Sequence, residues 1–497
     1  MLYRDGIGVP KNFDKVRRHA SAALSWLRTT CEQQTSKKLP YALYALGKFH
    51  ADGIGIQKDE RKAFQLFQRS ADCGFIAGMN ALGDCFRTGK GVSQDHSEAA
   101  GLFRLAAAQR YAEAQINLAS CYFAGDGIAK DLNEAVRLCY LAYEQGHAAA
   151  QVMLGMCYAC GYGVTKDERE AMRLYNLAAE QGYAAAMIVL GQKFQHESSK
   201  NAAAVWYRKA AEQGDAAGQY HFGTQHNNED CLHWYRLAAE QEYSPAQFEL
   251  GSCYENGRYV GRNLVEAVRW YRLAAQQGHA LAQRSLSICY VAGKGVCKDD
   301  SEAVRWYLQA IEQGSPSKTT PRSFSDDAEP VYRLAAERGH AHAYYDLAMQ
   351  KNWSRLDDAE VMQLLRQAAE QGHVEAQYEL GGLLVRNPPR GKDKRKDEAV
   401  LWYRKAAEQG HIRAQFELAE CYMQGKLVTN DKAEAFRWYR MAAEQGDGKA
   451  CGKLRDYYSS GHAADHVQAA YWRRLATEPR VDSAHLRAIR AMLQGLA

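Results

Sequence analysis

The feature that most constrains this chain is a phrase it repeats. Residues 270–283 read WYRLAAQQGHALAQ, and close variants return along the whole length. The residue that closes the AAEQG phrase, or its local variant, falls at Gly74, Arg110, Gly146, Gly182, Gly214, Glu242, Gly278, Gly314, Gly339, Gly372, Gly410 and Gly446, in steps of 36, 36, 36, 32, 28, 36, 36, 25, 33, 38 and 36. A period of this size marks a stacked array, because one unit is too small to bury its apolar face and must lean on its neighbours. The 497 residues are therefore expected to form one elongated solenoid rather than the few globules that length alone suggests.

Within one period the apolar spacing predicts two helices. Ala303, Trp306, Tyr307, Ala310 and Ile311 fall at i, i+3, i+4, i+7 and i+8, one stripe of a 3.6-residue turn. Ala282, Ser285, Leu286, Cys289 and Tyr290 take the same offsets in the preceding helix, as do Ala114, Asn117, Leu118, Cys121 and Tyr122 upstream. The glycine after AAEQ is the expected left-handed residue beyond a helix end. Between the two helices lies AGKGVCKDDSEA (292–303), where Gly293 and Gly295 make the turn and Asp300 or Ser301 is placed to cap the next helix. Arg110 and Glu242 break the glycine rule. If the left-handed turn is kept, each costs on the order of 1 kcal/mol relative to glycine; otherwise the turn has changed shape there.

Residues 282–314, AQRSLSICYVAGKGVCKDDSEAVRWYLQAIEQG, carry these signals together. They resemble the Sel1-like repeat, a relative of the tetratricopeptide repeat with a longer turn, and the resemblance extends over roughly residues 1–475. It implies an all-α fold, a right-handed α/α superhelical solenoid of about 12 helix-pair repeats. The expected organisation is a truncated first repeat and connector over 1–40, repeats over 41–314 with short irregular ones at 191–242, a flexible insert at 315–330, further repeats over 331–450 and a C-terminal capping repeat over 451–497. The shortened units are expected to change the pitch of the superhelix. The Ser/Pro-rich insert SPSKTTPRSFSDDAEP reads as a loop or hinge before a half unit. The chain opens inside a turn, so its first unit is expected to lack a proper first helix.

Composition narrows the function classes. With 63 basic and 58 acidic side chains the net charge is +5, which argues for neither a general nucleic-acid binder nor a membrane-surface protein. No charged segment followed by an apolar core opens the sequence, and no run of 18 apolar residues occurs, so as written the chain reads as soluble and cytoplasmic. Cys85, Cys121, Cys157, Cys253, Cys289 and Cys421 each precede an aromatic at one place in the first helix, a slot for a small apolar side chain. The odd total of 13 cysteines points the same way, to free thiols in a reducing compartment.

Candidate chemistry mostly dissolves into architecture. GKGVCKD follows a helix instead of a strand and lacks the GK[ST] ending of a phosphate loop. Cys157 and Cys160 in CYAC have metal spacing but no second pair. His462 and His466 lie one turn apart, and His221, His226 and His233 gather in the irregular region, yet spacing fixes no further ligand for either group. His147, His279, His340, His373 and His411 follow the helix-ending glycine and recur with the repeat, which makes them structural. Trp206, Trp234, Trp270, Trp306, Trp402 and Trp438 occupy the repeated WY and read as core. The basic loop at 385–399, with Arg386, Arg390, Lys392, Lys394, Arg395 and Lys396, lacks interleaved aromatics and reads as solvated.

What remains is surface. First helices of such repeats line an inner groove, and beside their core stripe Asn117, Glu249, Ser285, Glu379 and Glu417 share one phase, Ser120, Ser252 and Glu420 a neighbouring one. The expectation is a noncatalytic scaffold or adaptor that binds a protein or peptide through its concave face at these eight positions, with no cofactor and no metal. It would be monomeric or held in a larger complex. Two alternatives stand beside it: a hydrolase or ligand-binding protein with a site near 221–233, and an RNA-binding helical repeat protein.

Overall fold

The computed structural model describes residues 13–32, 37–196, 199–226, 228–312, 328–353, 358–386, 394–425, 427–459 and 466–477. Among these residues there are 26 α-helices, from Phe13–Glu32 to His466–Thr477, and no strand. None of these helices is long and apolar enough to cross a membrane. The chain divides into two compact units, 1–241 with 481–497 and 242–480. Each unit is an α-solenoid in which every helix packs on the next.

The repeat containing Ala112–Ala124 and Leu132–Tyr143 shows how the sequence builds a unit. The first helix buries Ala114, Gln115, Ile116, Leu118, Ala119, Cys121 and Phe123, and the second buries Ala135, Val136, Leu138, Cys139 and Ala142. Gly125 and Gly127 take φ of 78° and 71°. A Cβ on Gly127 would collide with the carbonyl of His96, so this glycine is required where the loop rests on the first residue of the preceding second helix. Asp131 then caps the second helix, its Oδ1 accepting from the backbone N–H of Asn133 and Glu134 at 3.0 Å each. In the loop at 292–303 the cap is Asp299, whose Oδ1 accepts from Ser301 and Glu302, and not Asp300 or Ser301. Asp299 stands six residues after its helix-ending glycine, as do Asp59, Asp95, Asp131, Asp167, Asn263 and Asp431, so repeat register selects the cap among three adjacent candidates.

Arg110 and Glu242 keep the left-handed turn, each with φ of 62°. In three repeats the histidine after the turn caps the following first helix, Nδ1 of His279, His373 and His411 accepting from the N–H of Ala282, Ala376 and Ala414 at 3.2, 3.1 and 3.0 Å, whereas Nδ1 of His147 caps nothing.

Two further devices recur. A glycine in the first helix lies against the aromatic 20 residues on, or 22 on at Gly381, and a Cβ on Gly47, Gly83, Gly155, Gly251 or Gly381 would come within 2.5–2.8 Å of the ring of Phe67, Phe103, Tyr175, Tyr271 or Tyr403. Where the sequence has Ala119 in that register, the partner is the smaller Cys139. The second device is a glutamine clasp. Buried Gln415 donates through Nε2 to the carbonyl of Ala407 on the preceding second helix at 3.0 Å, while its Oε1 accepts from Gln445, at the end of its own repeat, at 2.8 Å. Gln377 makes both bonds, and Gln115, Gln151, Gln219 and Gln247 accept from Gln145, Gln181, Gln241 and Gln277. One residue type thus satisfies a helix-end carbonyl and ties three helices.

The thirteen cysteines are free; Cys85, Cys121, Cys157, Cys253 and Cys289 are buried in the expected slot, and Cys421 is half-buried there. The tryptophans only partly follow expectation. Trp306, Trp402 and Trp438 are buried, whereas Trp206, Trp234 and Trp270 are half-buried. The exposed faces of Trp206 and Trp270 are covered by Lys209 and Arg269 at 4.3 and 5.6 Å from the ring centroids, because the WY tryptophan stands at the edge of the apolar stripe.

Candidate functional site

On a first helix such as Ala112–Ala124, packing against two second helices leaves a half-open file containing Asn117, Ser120 and Ala124, with Glu113 exposed at its start and Tyr122 half-buried on another face. The eight residues singled out from the sequence all sit on this file, Asn117 and Ser120 in the first unit and the other six in the second. They form no single cluster, and most already have partners. Asn117 donates through Nδ2 to Asn80 Oδ1 at 3.0 Å, joining successive first helices. Ser120 donates to the carbonyl of Ile116 at 2.9 Å. Asn256 donates to the carbonyl and hydroxyl of Ser252 at 2.9 and 3.3 Å. Glu249 pairs with Arg258 at 3.5 Å and Glu379 with Arg386 at 4.0 Å. Ser285 is half-buried.

The acids on the file differ in character. Burial pushes Glu249 above the ordinary carboxylate range, against the charge of Arg258. Burial and the charge of Glu420 do the same to Glu417, against Lys449. Burial also acts on Glu420, but bonds from Lys453, Tyr439 and Gln424, the last two at 2.5 and 2.6 Å, outweigh it and hold that carboxyl below its usual range. Asp346, seven residues after Gly339, shares the phase of Glu249 and Glu417, and the sequence reading missed it. It is buried, accepts from the Tyr307 hydroxyl at 2.9 Å, and burial raises its pKa against the charge of Arg284. Counting from the repeat end finds it.

The irregular repeats hold a different kind of site. The first helix Ala216–Thr224 has 9 residues where regular ones have 13, and the chain turns back early into Asp230–Glu240. Beside Lys200–Glu212 this leaves an open cavity of about 440 Å³ lined by Arg208, Glu212, Phe222, His226, Asp230, His233 and Trp234. The three histidines of this region are not gathered. His221 stacks on Tyr207 at 5.1 Å outside the cavity lining, and burial lowers its pKa to about 4. His226 and His233 face the cavity.

Among the described residues, no group of three His, Cys, Asp or Glu side chains is placed to hold a metal ion. The Cys157 thiol is buried and pushed well up by that burial, and Cys160 is raised for the same reason, which leaves neither disposed to act as a thiolate. Gly295, the second glycine of GKGVCKD, abuts the Leu264 carbonyl, so the loop packs on a helix instead of cradling a phosphate. His462, the side chain of His466, the insert at 315–327 and the basic loop from 387 to 393 lie outside the described residues.

Comparison with known sequences and structures gives the setting. The Sel1 repeat family profile matches residues 1–34, 40–75, 76–111, 112–147, 148–183, 184–215, 217–243, 244–279, 280–315, 357–373, 374–411 and 412–447. No curated protein matches the sequence. Among solved structures, the chain is similar to a protective antigen of uropathogenic Escherichia coli strains displaying an SLR fold, at 29% identity over 95% of this chain and 93% of that one, with a TM-score of 0.35. A Sel1 repeat protein from Oxalobacter formigenes matches at 24% identity over 61% and 99%, TM-score 0.30, and the immunity protein Pa5087 from Pseudomonas aeruginosa at 24% over 44% and 83%, TM-score 0.33.

Proposed function

The chain belongs to the Sel1 repeat family, and on that premise we propose that it is a noncatalytic scaffold or adaptor whose first helices present a concave face to a partner protein or peptide. Repeats of this family generally mediate protein–protein interactions, and their proteins are typically noncatalytic. The observation that carries the reading is variation on a constant frame. Four residues after the repeat end, Ala114, Ala150, Ala186, Ala246, Ala282, Ala343, Ala376 and Ala414 are all 0% exposed. Three residues further on, the same register reads Asn117, Met153, Val189, Glu249, Ser285, Asp346, Glu379 and Glu417, half-open except at the buried Met153, Val189 and Asp346. A frame fixed by packing with one variable file is what a surface selecting one partner needs, and in the second unit that file is largely acidic.

The test is capture from lysate of the native host with the chain carrying Glu249→Lys, Glu379→Lys and Glu417→Lys, beside a control with Glu134→Lys, Glu170→Lys and Glu266→Lys on second helices. A partner lost with the first set and kept with the second supports the reading. A partner indifferent to both, from chains of equal thermal stability, refutes the concave face as the contact.

A further inference from the structure

The cavity in the shortened repeats opens at a position where three other repeats link successive helices. In three regular repeats a residue on the second helix meets the residue 18 positions on, the tyrosine of the next first helix. The Tyr140 and Tyr158 hydroxyls lie 2.5 Å apart, Arg272 donates to the Tyr290 hydroxyl at 3.0 Å, and Arg404 donates to that of Tyr422. Arg208 and His226 stand in the same register, with histidine in place of tyrosine, and they do not bond.

Each is left with unused hydrogen-bonding capacity. The Arg208 guanidinium lies over the Phe222 ring, 5.4 Å from its centroid, and among the described residues it makes no hydrogen bond or ion pair. Nε2 of His226 is shut from solvent and has no partner, its ring edge-on to Phe222 at 4.6 Å. Across the same cavity, Glu212, one turn from Arg208, has no partner among the described residues, and Asp230 accepts from Asn228 through Oδ2 only. Trp234 supplies an aromatic wall, edge-on to Phe222 at 5.2 Å.

A guanidinium and two carboxylates face one space beside an indole. A simple anion would be repelled by Glu212 and Asp230, and a simple cation by Arg208. A molecule with a carboxylate and an ammonium on adjacent atoms answers both. We propose that this cavity binds a free α-amino acid as its zwitterion, the carboxylate accepting from Arg208, the ammonium donating to Glu212 and Asp230, and an apolar side chain lying on Trp234. At about 440 Å³ the space falls within the roughly 300–1,000 Å³ of small-molecule sites. The site is independent of the first-helix file, so its success or failure leaves the scaffold reading untouched.

Calorimetric titration of the full chain with each of the twenty L-amino acids tests this, followed for the best binder by three analogues: one with the amine removed, one with the carboxylate removed, and the N-acetyl amide with neither charge. The expected result is saturable binding of one or more amino acids with apolar side chains, at least tenfold weaker binding of each singly charged analogue, and none of the amide. His226→Tyr, which restores the link seen at Arg272 and Tyr290, and Arg208→Met should each weaken binding at least tenfold while leaving the thermal midpoint in place. No amino acid binding at millimolar concentration overturns the proposal. So does equal binding by the uncharged amide, or unchanged affinity in both variants.

Discussion

Replacing Gly155 by alanine sets two physical effects against each other. Alanine exceeds glycine in helix propensity by about 1 kcal/mol, so on backbone grounds the change in the helix Ala148–Cys160 stabilises. The new Cβ, however, would stand 2.5, 2.8 and 3.0 Å from three ring carbons of Tyr175, which is only 2% exposed and has nowhere to go. Forcing a methyl into such packing costs typically about 1–3 kcal/mol, so overpacking should win by up to about 2 kcal/mol. Global melting of a repeat array is not two-state, so the readout is amide hydrogen exchange within 148–180, where the loss corresponds to up to roughly 30-fold faster exchange. Gly101→Ala is the control, since a Cβ there meets nothing within 4 Å and only the propensity gain remains. Adding Tyr175→Cys to Gly155→Ala reproduces the native pairing of Ala119 with Cys139, and the two changes should couple favourably by about 0.5–3 kcal/mol. Unchanged or slower exchange in Gly155→Ala would refute the claim that the ring dictates the glycine.

Burial lowers the pKa of His221 and His373 to about 4, from an unfolded value near 6.5. The unfolded chain then takes up protons first, so stability is full above pH 6.5 and falls between 6.5 and 4, by up to roughly 1.4 kcal/mol per pH unit for each histidine. Denaturant midpoints at pH 7 and 5 should differ accordingly, and His373→Asn, which keeps a capping side chain before Ala376, should flatten the dependence; an identical slope would contradict this. Arg110→Gly and Glu242→Gly relieve a left-handed residue at φ 62°, so each should slow local hydrogen exchange by an amount equivalent to about 1 kcal/mol, and no change would show that the turn tolerates a side chain at no cost.

The fold was legible because helix periodicity and repeat period reinforce each other: the stripe from Ala303 to Ile311 and the glycine at each helix end needed no tertiary information. Where single-repeat reasoning erred, the register held the answer. Asp299 was passed over for its neighbours, and Asp346 was overlooked, though both stand at the offsets their counterparts occupy. Trp206, Trp234 and Trp270 were read as core because a helical wheel marks the direction of a side chain but not how far the neighbouring helix reaches over it. The cavity was harder to foresee. The histidines near 221–233 drew notice, but the sequence could not separate His221, stacked inward on Tyr207, from His226. Nor does a sequence display which register pairs bond: Arg272 reaches Tyr290 and Arg404 reaches Tyr422, but Arg208 does not reach His226.

The glutamine clasp has a mechanical meaning. A clasped joint resists being pulled open because separating a first helix from the preceding second helix breaks the glutamine–carbonyl bond together with the apolar contact. The clasp residue is absent at Met79, Met187, Tyr344 and Cys451, which stand in the glutamine position of their repeats. Under tension such a chain would not peel evenly from one end; it would part at these four seams, releasing blocks of clasped repeats that hold together while the seams between them yield.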